Sequence, residues 1–82
     1  MDDHAYSLIS AKIIKLDNGR EERLVKIRNP HGHREWDGDW SDNSKKWTAS
    51  TKRQVNLQKT NDGTFWIAFA DYVKFFYILL VR

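Results

Sequence analysis

The chain contains no cysteine, which removes disulfides, thiolate metal sites and a cysteine nucleophile together. A single proline and four glycines are too few for a collagen-like or low-complexity chain. Long apolar runs are missing too. The longest, Phe75-Phe76-Tyr77-Ile78-Leu79-Leu80-Val81, is seven residues, whereas a helix needs about 20 to cross a bilayer. No membrane span is expected. The opening Met1-Asp2-Asp3-His4 is acidic and polar, unlike a secretory signal or an Arg-rich transit peptide, so the default expectation is a soluble, cytoplasmic protein. A large excess of one charge is absent as well: Lys+Arg 14 against Asp+Glu 11 leaves +3, with the signs interspersed. That balance argues against a nucleic-acid partner.

What is present is aromatic. Four Trp, four Phe and three Tyr among 82 residues point to one small globular domain over residues 1–82 with a modest core. The segment Ala5–Leu16 is rich in β-branched and aromatic residues and is expected to form a strand. Asp17-Asn18-Gly19-Arg20 is a turn, because Asn-Gly tolerates positive φ at both central positions. Arg23–Arg28 alternates apolar and basic residues, as a half-buried strand does. Leu24 begins its inner face, Val25 is a second candidate there, and Lys26 and Arg28 face solvent. Asn29-Pro30 ends this hairpin, since proline cannot donate to a ladder.

The polar stretch from Gly32 to Lys46, with Trp36 and Trp40 inside it and Trp47 just after, reads as an ordered loop pinned by indole rings. Residues 48–59 suit a short helix capped by Ser50 or Thr51. Asn61-Asp62-Gly63 is a turn, and Thr64–Phe69 a third strand. Residues 70–76 fit two helical turns, with Asp71 complementing the dipole, and Tyr77–Arg82 a closing buried strand. The resulting class is α+β, an antiparallel β-sheet with short helices.

Several constellations carry chemistry. His31 and His33 flank Gly32, but no HExxH or CxxC spacing accompanies them, and a His-Gly-His loop without further ligands reads as solvated rather than zinc-binding. Glu35-Trp36-Asp37-Gly38-Asp39-Trp40-Ser41-Asp42 is dense in hard oxygen donors. It is not an EF-hand: counting from Asp37, the sixth residue is Asp42 where glycine is needed, and the twelfth is Thr48 where glutamate is needed. A calcium loop of another kind and an acidic loop whose tryptophans fill a mini-core both fit. Lys26, Arg28, Lys45, Lys46, Lys52, Arg53 and Lys59 raise a third reading, a small single-strand binder, which predicts strongly salt-dependent association. A solvated basic face accounts for the same residues. Finally, His4 at the start of one strand and Asn29 just after the next can meet at the open end of a sheet. A Cys-His-Asn constellation needs these roles, with histidine as base and asparagine orienting the ring.

Four blocks together are distinctive: His4–Leu8, Leu24–Pro30, Glu35–Asp42, and Asp62–Phe69 followed by Asp71-Tyr72 and Phe75-Phe76. In order and spacing they resemble the calpain family of cysteine proteases, over nearly the whole chain. The resemblance is to the second half of a papain-like catalytic core. It implies that His4 is the catalytic histidine and Asn29 the catalytic asparagine, acting with a cysteine borne by a subdomain in cis or in trans on a protein or peptide substrate. The half that carries the nucleophile is not in this sequence, so the chain by itself is expected to be inactive. The resemblance also implies calcium, with Glu35, Asp42 and Asp62 at ligand positions and Thr60 supplying a carbonyl. Two departures stand out. Thr64 replaces an expected acidic ligand, which weakens a hard-cation site, and His31 replaces a tryptophan that shelters the Asn–His contact. These departures motivate the alternative of a non-catalytic calpain-like protein-binding module. A subdomain built to pack on a partner is also expected to show an apolar face near His4 and Asn29.

Overall fold

The computed structural model describes residues 6–29, 36–58 and 63–81, with the backbone alone for 75, 76 and 78–81. In chain order the elements are β1 (Ser7–Lys15), β2 (Glu21–Arg28), α1 (Ala49–Val55), β3 (Thr64–Ala68) and α2 (Phe69–Val81). The strands make one antiparallel sheet in the order β1-β2-β3, so the α+β class expected from the sequence holds.

Asn18-Gly19 closes the first hairpin as expected, but with positive φ at Gly19 alone of the two. Gly19 has φ of 89°, and its N–H donates to the Leu16 carbonyl at 2.9 Å while Leu16 N–H donates to Arg20 at 2.7 Å. β2 lies between the other two strands, and this decides its burial. Opposed residues share a face. Leu24 therefore lies with Ala68, and Lys26 with Trp66, on one side; Val25 with Ile67, and Ile27 with Phe65, lie on the other. The first side packs with Ile14, Trp40, Trp47 and Val55. The second packs with Tyr6, Trp36 and Tyr72. A central strand covered on both faces is apolar on both, so Val25 and Ile27 are buried alongside Leu24. Arg28 is exposed as expected. Lys26 is half-buried, its ammonium 5.9 Å from the Trp66 ring centre, within cation–π range.

α1 lies within the expected 48–59 but is shorter, Ala49–Val55. Its cap is Thr48, not Ser50 or Thr51: Thr48 Oγ1 accepts from Thr51 N–H at 3.1 Å, and Thr51 Oγ1 accepts from Thr48 N–H at 2.8 Å. This reciprocal pair is a capping box in which threonine replaces the usual glutamate. Asn56, in the left-handed region at φ 53°, ends the helix. From the same helix Gln54 reaches β1, accepting from Lys15 N–H and donating to Lys15 C=O, both at 2.8 Å. The amide thus takes up outward main-chain groups of an edge strand, which would otherwise invite pairing with another chain.

The expected closing strand is a correction. Residues 77–81 continue α2, Arg82 lies outside the described residues, and Phe69 opens this helix rather than ending β3. A short apolar run does not separate a buried strand from a helix. Phe76-Tyr77 contains no glycine, proline or asparagine to stop a helix already started with Asp71 in its first turn. Tyr77, expected in the core, is exposed.

Among the described residues α2 packs on β2 and β3 but not on β1. Leu8 and Ile13, which pair with Ile27 and Arg23 on the α2 side of the sheet, are therefore left 52% and 64% exposed. Phe69 borders them across a groove floored in part by Ala11 and Val25. Among the described residues no helix is long and apolar enough to cross a membrane.

Candidate functional site

Asn29 is the first residue after β2. It is polar yet only 4% exposed, and burial of an amide is costly unless it is hydrogen-bonded. Its main-chain N–H donates to the Gly63 carbonyl at 2.8 Å. Gly63 has φ of 84°, where only glycine is free of strain, and it immediately precedes β3. Asn29 is thus held where two strands meet. The third comes to the same end, because Ser7 pairs with Arg28 across β1 and β2, and Thr64 pairs with Arg28 across β2 and β3. The start of β1, the end of β2 and the start of β3 form one rim, and Asn29 sits in it. His4, three residues before β1, lies outside the described residues, as do His31, Glu35, Thr60 and Asp62.

The acidic loop is ordered by its indoles, as expected. Trp36 Nε1–H donates to the Asp39 carbonyl and Trp47 Nε1–H to the Ser41 carbonyl, each at 2.8 Å. Trp40 and Trp47 meet edge to face with ring centres 4.9 Å apart, a favoured aromatic geometry. Trp36 lies so close over Gly38 that any Cβ there would collide with its ring. Ser41 N–H donates to Gly38 at 3.1 Å and Ser44 N–H to Ser41 at 3.0 Å. These bonds hold Asp42, half-buried, beside a groove of about 230 Å³ lined by Trp36, Asp37, Ser41, Asp42, Asn43 and Ser44. Its donors are hard oxygens, the chemistry calcium prefers. Among the described residues, however, no three His, Cys, Asp or Glu gather as a metal site. Thr64 is on the sheet rim with Asn29 and does not line this groove.

Of the residues proposed from sequence, the described part therefore places Asn29 on the rim and Asp42 in the loop. Sequence reasoning missed the clamp by Gln54 and the carbonyl of buried Ser41. Neither polar residue carries a local signal, because each acts through a partner distant along the chain or folded back over it.

Comparison with known proteins gives a consistent result. The family model described as calpain family cysteine protease matches residues 1–81. Calpain-14 of Homo sapiens is 40% identical over 83 residues, covering 99% of this chain and 12% of its own length. Calpain-8 of Rattus norvegicus is 41% identical over 73 residues, covering 87% of the chain and 10% of its own. The calpain-1 catalytic subunit of Gallus gallus is 41% identical over 76 residues, with 89% and 10% covered. The chain thus spans about a tenth of the length of these relatives.

Proposed function

Since the chain belongs to the calpain family of cysteine proteases, we propose that it is the histidine- and asparagine-bearing part of a papain-like catalytic core, inert until a cysteine-bearing part completes the cleft. The observation that carries this reading is Asn29: a buried amide, fixed at the sheet rim where β1 begins. The uncovered apolar residues Leu8 and Ile13 give it further support, as a face suited to packing on another subdomain. A cytoplasmic location belongs to the same proposal.

In the assembled core, His4 takes the proton of the cysteine thiol, leaving a thiolate–imidazolium pair. The Asn29 side-chain oxygen accepts from the other ring N–H and fixes the imidazole's orientation. Sulfur attacks the peptide carbonyl, and His4 returns the proton to the leaving amine as the C–N bond breaks. Water then attacks the acyl-enzyme, giving a proton to His4; the C–S bond breaks, the acid leaves, and the thiolate–imidazolium pair is restored.

Co-refolding this chain with a cysteine-bearing calpain subdomain tests the proposal. Cleavage of a fluorogenic peptide is expected only from the mixture. A mixture that forms a complex yet stays silent would favour the second reading, a non-catalytic protein-binding module. The departures at His31 and Thr64 support that alternative, and under it His4→Ala keeps its partner.

Calcium is a further part of the proposal. Glu35, Asp42 and Asp62 with the Thr60 carbonyl would hold it, and the oxygen-lined groove beside Asp42 fits such an ion. Bound calcium would supply a fixed positive charge drawing these segments together. Thr64 lies on the sheet rim rather than in this groove, so Thr64→Glu, which adds the carboxylate the resemblance implies there, tests whether rim and loop share one ion: calcium binding is expected to tighten about tenfold by calorimetry, because ligand charge count tunes affinity. Unchanged affinity would remove Thr64 from the site.

A further inference from the structure

The catalytic reading leaves the cations of the β1–α1 seam unused. Residues 43–60 contain Lys45, Lys46, Lys52, Arg53 and Lys59 and no Asp or Glu. β1 adds Lys12 and Lys15, again without an acid. α1 packs against β1, so two acid-free elements lie side by side in a chain whose net charge is only +3, bordered by Asp17 and by Glu21, which lies opposite Lys15 in the hairpin. Gln54 locks them together through the main chain of Lys15 at 2.8 Å, and Lys12 Nζ donates to the Gln54 carbonyl at 3.4 Å.

Along this seam runs an open groove of about 590 Å³, lined by Lys15, Leu16, Asp17, Ser50, Arg53 and Gln54. Lys15 and Arg53 are exposed, and among the described residues neither has a carboxylate partner. Asp17, the one carboxylate lining the groove, accepts from Thr48 Oγ1 at 3.4 Å. Ser50 Oγ accepts from Gln54 Nε2 at 3.1 Å, which leaves the hydroxyl proton to be donated outward. The groove is thus lined by Arg53, the Ser50 hydroxyl and Lys15, whose neighbour across the hairpin is Glu21, and Lys12, bonded to the Gln54 carbonyl, extends the charge along β1.

We propose that this seam binds an acidic peptide segment of a partner protein, Arg53 and Lys15 engaging its carboxylates. Arginine's planar fork suits a carboxylate's two oxygens. A single-stranded nucleic acid meets the charge but not the rest. Such strands are held by stacking on exposed rings, and the nearby Trp40 and Trp47 are buried in the core. The exposed Phe69 and Tyr77 belong to α2, which packs on β2 and β3 rather than on α1.

Fluorescence anisotropy with labelled oligoglutamate, oligoglutamine of equal length and a single-stranded oligonucleotide of matched charge tests this assignment. Oligoglutamate should bind best and release with added salt. The double variant Lys15→Gln/Arg53→Gln should weaken it about tenfold, as the loss of two exposed charge-assisted contacts implies. Arg53→Gln alone should produce part of that loss, and Arg23→Gln/Arg28→Gln on β2 should produce none. Thermal melts confirm that each variant folds. Equal binding of oligoglutamine, tighter binding of the oligonucleotide, or equal losses in the two double variants would each overturn the proposal.

Discussion

Peptidase activity rebuilt from the two parts of the core should vanish with His4→Ala and fall about a hundredfold in kcat with Asn29→Ala. The asymmetry follows from the roles proposed for the two residues. His4 moves a proton at both steps, so its loss removes the base and the acid together, a deficit of roughly four to six orders of magnitude. In the proposed core Asn29 is a positioning residue that acts only through the ring it orients. Its loss lets the imidazole sample unproductive orientations without removing the base. The main-chain bond from Asn29 to Gly63 at 2.8 Å survives truncation to alanine, so the strand junction remains. KM should hold while kcat falls, which separates positioning from damage to the cleft. A matching rise in KM, or a melting midpoint that falls in step with activity, would reduce Asn29 to a structural residue.

The largest effect on stability is expected at Trp40. The ring is 2% exposed and packs edge to face on Trp47 in the cluster that joins the loop to the sheet. Truncating a buried aromatic to alanine costs about 3–5 kcal/mol. A domain of this size holds roughly 4–12 kcal/mol in total, so Trp40→Ala should leave a substantial unfolded population. The backbone adds a discriminating twist. Trp40 sits at φ 73°, where a side chain costs about 1–2 kcal/mol relative to glycine. Trp40→Gly, although it removes more atoms, should therefore be less destabilised than Trp40→Ala by about 1 kcal/mol. Urea melts of the pair decide the point, and the opposite order would contradict a left-handed conformation at this residue. Strain of this kind persists only where surrounding packing enforces it. Here Trp47 and the Ser41 carbonyl, bonded at 2.8 Å, supply that enforcement.

Much of this was legible from local chemistry. Asn18-Gly19 announced its turn because few dipeptides reach positive φ so readily. Thr64–Ala68 announced a strand because β-branched and aromatic residues fit a pleated surface. Trp36, Trp40 and Trp47 announced an ordered loop because a short polar segment does not hold three indoles without burying some of them. The helix over residues 77–81 was not legible, since Tyr-Ile-Leu-Leu-Val satisfies a buried strand and a helix equally, and only the continuing turn of α2 separates them. The cap at Thr48 was missed because its reciprocal partner is another threonine, outside the usual pattern.

The candidate site divides along the same line. Sequence by itself determined the family and the α+β class, and it singled out His4, Asn29, Glu35, Asp42, Thr60 and Asp62 as the candidates the proposed function rests on, because a motif is carried by residue type and spacing. Only the tertiary structure decided that β2 is central and buried on both faces, that Asn29 lies buried on a shared rim with Gly63 and Thr64, and that Gln54 brings Lys15 beside Arg53. Each depends on which strand pairs with which, and at what register. Those contacts join residues far apart in the chain, and no local pattern encodes them.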